Sequence, residues 1–154
     1  MAQLGSALPA FKTAFVTAAT TLFEGEDVEV VRNRRKFEIF QNGIVVGTGS
    51  SESNPATLSA TQRTRDELIQ LEVTIYCYVP GGEESEDLAD EGAYSMLNKL
   101  EEYCRVTDTS FGNTVQYCYL TAHVAGQATD DTVISRGRMC VIVATFSAKA
   151  RITS

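Results

Sequence analysis

Histidine is nearly absent from this chain: His123 stands alone among 154 residues. Any Ser-His-Asp or Cys-His catalytic arrangement would have to use it. No serine sits in a G-x-S-x-G turn, so the strand-to-helix elbow that exposes a nucleophile is missing. Cysteine is sparse and scattered. Cys77, Cys104, Cys118 and Cys140 form no C-x-x-C pair. Structural zinc sites show short ligand spacings, so the pattern predicts four reduced thiols serving as small buried apolar groups. Gly43, Gly47 and Gly49 are followed by no G-K-[ST], which leaves no phosphate-binding loop.

Long apolar runs are missing too. No stretch approaches the roughly 18 apolar residues of a membrane span. The first residues carry no basic stretch, and Lys12 interrupts the apolar run, so no secretory signal is expected and synthesis is expected in a cytoplasm. Basic excess is also lacking: 13 basic against 20 acidic residues give a net charge of −7. A compact nucleic-acid binder would show the opposite balance.

What is present suits one globular domain. Hydrophobic residues are 44% and charged residues 21%, and a chain of this length buries enough surface to need no metal or disulfide. Residues 8–23 read as an amphipathic helix. Leu8, Phe11, Phe15, Ala18, Ala19 and Leu22 share a face, with Ser6 as N-cap, Pro9 in the first turn and Gly25 as the stop. Val28–Val31 is a short β-type run. Phe37–Phe40 and Ile44–Val46 flank Asn42-Gly43, which predicts a small hairpin. The Gly-, Ser- and Thr-rich stretch 47–64 reads as a long flexible loop.

The clearest strand covers 67–79. Ile69, Leu71, Val73, Ile75, Cys77 and Val79 alternate with a mixed set that contains Tyr76 and Tyr78. A second helix is expected over 84–105, with Ala89, Ala93, Met96, Leu97, Leu100 and Cys104 as its stripe. Acidic residues crowd its start, where a helix favours negative charge, and Glu101 is placed to pair with Arg105. A turn over Asp108–Asn113 leads to a strand over 115–124. There Cys118, Leu120, Ala122 and Val124 are expected on one face, opposite Tyr117, Tyr119, Thr121 and His123. A last strand over 138–148 places Cys140, Ile142, Ala144, Phe146 and Ala148 together. This order predicts an α+β fold: a mainly antiparallel sheet with two helices packed on one face, in a single domain.

Two surface features invite a contact. Tyr76, Tyr78, Tyr117 and Tyr119 make the mixed sheet face more aromatic than solvation requires, and tyrosine is enriched at protein interfaces. Arg32, Arg34, Arg35 and Lys36 form a basic cluster that fits a solvated surface, a protein contact or nucleic-acid phosphate. The acidic run over 83–91 reads as a solvated helix start, since paired catalytic carboxylates need an enclosed site. No catalytic, metal or cofactor constellation is expected.

Several of these segments together resemble the tail terminator (tail completion) proteins of long-tailed bacteriophages with non-contractile tails. The resemblance rests on the N-terminal helix with Phe11 and Phe15, on the strand RDELIQLEVTIYCYVPGG, and on the strand-start feature Arg63 to Glu67. It rests also on the acidic helix with its Ala93 to Leu97 core, the Asp108 to Gly112 turn, and the strand GRMCVIVATFSAKA. FEIFQNGIVVGTGSS departs from the family pattern.

The resemblance implies a structural virion protein at the neck end of the tail, assembled in the host cytoplasm. It implies a hexameric ring of this chain that caps the tail tube, halts its growth and meets a head-to-tail connector or stopper protein. DNA would be passing cargo in the channel, and no membrane is involved. A head-closure or tail-tube subunit is the near alternative, and a small-ligand-binding domain the distant one.

Overall fold

The computed structural model describes residues 5–32, 42–55, 64–127 and 137–153. Its elements are α1 (Leu8–Leu22), β1 (Glu29–Arg32), β2 (Gly43–Pro55), β3 (Thr64–Pro80), α2 (Ser85–Glu102), β4 (Tyr117–Gln127) and β5 (Gly137–Thr153). A π-helical turn, Tyr103–Thr107, extends α2. The strands form one sheet in the order β1-β2-β3-β5-β4, antiparallel except for the β1–β2 pair. Both helices pack on the same sheet face, so the architecture is the expected α+β one.

Alternation explains why β3 and β5 lie at the centre. Ile69, Leu71, Val73, Ile75 and Cys77 of β3 are all buried, as are Cys140, Ile142, Ala144, Phe146 and Ala148 of β5. Both rows point to the helices, because directly opposed residues of an antiparallel pair share a face. Against them α1 sets Phe11, Phe15 and Ala19, and α2 sets Ala89, Ala93, Met96, Leu97 and Leu100. The turn after α2 closes this core with Phe111. Its ring stacks on Phe15 at 5.2 Å and meets Phe11 edge-on at 5.4 Å.

That turn is locally strained. Phe111, Gly112 and Asn113 have φ of 46°, 67° and 64°, the left-handed region that side chains disfavour. The Asp108 carboxylate holds it. One oxygen accepts the Gly112 N–H at 2.9 Å, and the other accepts the Ser110 hydroxyl at 2.9 Å. These bonds keep the Asp108 carboxyl below the usual range, the Gly112 amide contributing most.

The start of α1 differs from expectation. Ala7, not Ser6, occupies the N-cap position, and the cap is supplied from the sheet. Glu67 of β3 is buried on the helix face, and its carboxylate accepts the Ala7 N–H at 2.7 Å and the Ser6 hydroxyl at 2.5 Å. The Ser6 hydroxyl in turn accepts the Leu8 N–H at 3.2 Å. A buried carboxylate here satisfies orphan helix donors and sits at the positive end of the helix.

Three expectations are corrected. The stretch 47–64 is not all loop: β2 runs on to Pro55 along β3, and residues 56–63 lie outside the described ones. Its glycines mark irregularity and close approach within a strand. The register shifts between Val46 and Gly49, and a Cβ on Gly49 would lie 2.6 Å from Leu8 Cδ1. Second, Ile44–Val46 is not a hairpin arm, because β1 and β3 occupy both of its edges. The other proposed arm, Phe37–Phe40, lies outside the described residues. Third, β4 does not alternate evenly. A bulge between Leu120 and Ala122 inserts Thr121, which bonds Ser147 through its hydroxyl, and the faces exchange beyond it. His123 now opposes buried Ala144 and lies 3.2 Å from the Tyr94 hydroxyl of α2, while Val124 opposes Val143 on the outer face.

Candidate subunit interface

The sheet face turned away from the helices is the candidate contact surface, and register places its side chains. Tyr117, Lys149, Leu68 and Glu52 form one row across four strands; Tyr119, Ser147, Gln70 and Ser50 form the next. Tyr76 and Val141 oppose each other farther along, followed by Tyr78 and Met139. Tyr119 and Tyr76 thus belong to rows at Ser147 and Val141, six residues apart on β5, or roughly 20 Å at the usual strand rise.

All four tyrosines predicted for the face lie on it, but as two separate pairs. Tyr76 and Tyr78 are half-buried, beside Met139, which is only 5% exposed. Tyr117 and Tyr119 are exposed at 41% and 51%, with ring centroids 6.0 Å apart. Between the pairs stand Val143 and Val124, the latter 73% exposed. Sequence alternation alone assigned Val124 to the core, because the bulge that turns it outward has no sequence signature of its own.

The tyrosine pair has a charged border. Asp66 binds Arg151 at 2.9 Å and Lys149 at 3.4 Å, and the bond from Arg151 is the main cause of its lowered pKa. Arg105 binds Glu101 at 2.6 Å on the far side of β4. These exposed pairs contribute little to stability. They do frame an uncharged strip, the pattern of an interface with a polar rim.

Of the basic cluster, only Arg32 is among the described residues; Arg34, Arg35 and Lys36 lie outside them. Arg32 is exposed at the end of β1 and donates to the Thr13 hydroxyl at 2.7 Å. Nearby Lys12 has a lowered pKa, first through burial and then through the Arg32 charge. Arg32 therefore belongs to the α1 side of the molecule and is not joined to the tyrosine pair.

Chemistry-bearing groups do not converge among the described residues. No group of three His, Cys, Asp or Glu side chains is placed to hold a metal ion. The four thiols are free and buried; Cys118 lies 3.9 Å from Cys104, and Cys77 opposes Cys140 across the β3–β5 ladder. Burial raises the Cys77 thiol and pushes Cys140 up to about 12, with the Asp90 carboxylate adding to the latter. An open groove of about 610 Å³ between α1 and the Asp108 turn is lined by Ala14, Thr17, Ala18, Tyr103 and Phe111. The carboxylate at its rim, Asp108, is committed to turn amides. No protein-family model and no curated protein matches the chain.

Proposed function

We propose that this protein is a structural virion subunit that assembles with copies of itself into a ring on the end of a phage tail tube. The ring ends tube polymerisation and joins the tail to the head-side connector or stopper. The single observation that carries the reading is the uncharged strip of Tyr117, Tyr119, Val124 and Val143 on the sheet face without helices. Exposed apolar side chains grouped in this way mark a surface meant to be covered. The order of elements supports it as well, since it is the order on which the tail-terminator resemblance rests. A net charge of −7 suits a subunit near passing DNA, because like charge discourages sticking.

A tail-tube or head-closure subunit would use the same strip. Electron microscopy of the purified protein, alone and mixed with tail tubes, separates these readings. Closed rings seated on tube ends are expected. Open tubes formed by the protein alone would move it to the tube class, and particles that ignore tube ends would remove the capping role.

A further inference from the structure

Strand edges on this molecule suggest how copies join. β4 is the last strand of the sheet, and β5 fills only one of its edges. Its sequence, YCYLTAHVAGQ, has no charge and no proline over 11 residues. Proteins protect free edges with charge, proline, bulges or covering segments, and among the described residues no strand pairs with the outer edge of β4, whose own irregularity is the bulge at Thr121. At the opposite margin, β1 covers β2 only from Gly43 to Val46. From Gly47 to Pro55 the outer edge of β2 has no strand partner among the described residues.

We infer that the Tyr117–Ala122 half of β4 in one copy pairs with the free edge of β2 around Gly47–Glu52 in a second copy, so that the sheets join head to tail. A row of unpaired backbone N–H and C=O groups is best satisfied by another extended backbone. Direction agrees: β4 runs parallel to β3 and β2 antiparallel to it, so copies in the same orientation meet as an antiparallel pair. Small residues Gly47, Thr48, Gly49, Ser50 and Ser51 permit close approach.

Charge also agrees. Extending the rows sets Ser50 of the second copy against Tyr119, and its Glu52 against Tyr117. Glu52 is the one charge on that β2 segment, and it arrives in the row of Lys149, which shares the Asp66 carboxylate with Arg151. A groove of about 540 Å³ beside β4, lined by the Glu101–Arg105 pair, Tyr117, Tyr119 and Leu120, leaves room for the incoming strand. Such a contact uses two different surfaces, so it closes into a ring when its rotation permits and otherwise grows as a filament.

The inference rests on the proposed self-assembly but names its contact independently of any phage partner. It is tested by mixing a Ser50→Cys copy with an Ala122→Cys copy and adding a short flexible bis-maleimide. Both sites are exposed, the tyrosines stay in place, and the native thiols are buried. The expected result is a cross-linked dimer at least tenfold more abundant in the mixture than in either variant alone. A chain carrying both substitutions should give a ladder of higher masses. Rings seen by microscopy without the cross-link overturn the edge pairing and leave the ring reading standing. Cross-linked open filaments without rings uphold the pairing and remove the ring. Uncross-linked monomer throughout overturns both.

Discussion

The carboxylate of Glu67, from the first turn of pleat in β3, accepts the backbone N–H of Ala7 at 2.7 Å and so ties the start of α1 to the sheet. Its other oxygen holds the Ser6 hydroxyl. Glu67→Ala leaves the Ala7 donor buried without a partner and should cost about 2–3 kcal/mol. Glu67→Gln keeps an acceptor in place and should cost about 1 kcal/mol. Urea unfolding of both variants measures this. Equal stability of the alanine variant and the parent would show that the cap contributes nothing.

Gly92 sits inside α2, where glycine disfavours the helix. A Cβ there would lie 2.4 Å from Cys77 Sγ, so the missing side chain is what lets α2 lie on β3. Gly92→Ala should therefore destabilise by about 1–3 kcal/mol despite the better helix propensity. Combining it with Cys77→Ala should recover part of the loss, seen as a favourable coupling in a double-mutant cycle. Additive losses in thermal unfolding would contradict the contact.

The Asp108 turn should contribute to acid sensitivity. Its folded pKa is below the ordinary 3.8, because turn amides and the Ser110 hydroxyl bind the charged form. The stabilisation is present in full above the unfolded value and is lost as pH falls below 3.8 through the folded one. Asp108→Asn should flatten the stability-versus-pH curve in that range. An unchanged slope would mean the turn carries no titrating load.

Tyr119 is exposed, so its ring adds little to the monomer core. Tyr119→Ala should leave the unfolding midpoint nearly unchanged while weakening self-association by roughly tenfold, as truncating an aromatic interface anchor does. Tyr76→Ala should also weaken assembly, but Tyr76 is half-buried, so some monomer stability should go with it. Sedimentation of each variant over a dilution series reads both effects.

Much of this fold was legible because its long elements are periodic. The period-two pattern of Ile69 to Cys77 and the stripe from Ala89 to Cys104 name their buried faces directly. The exceptions have local causes. Gly47, Gly49 and Ser50 read as loop by composition, yet β3 supplies the pairing that their own propensities do not. Thr121 is an ordinary strand residue, and nothing in the sequence announces that it is unpaired. Its insertion moved His123 to the helix side and Val124 outward, so the candidate surface gained a valine that alternation had placed in the core. Glu67 occupied a core position of the same alternating set as Ile69, and a carboxylate there signals a buried partner such as the Ala7 amide.

The most direct test of the account is the mass of the purified protein by light scattering over a concentration series. A closed assembly of six copies, reached and then unchanged as concentration rises, is the predicted result. A single-chain mass at every concentration would contradict the claim that the Tyr117–Tyr119 strip is built to meet another copy.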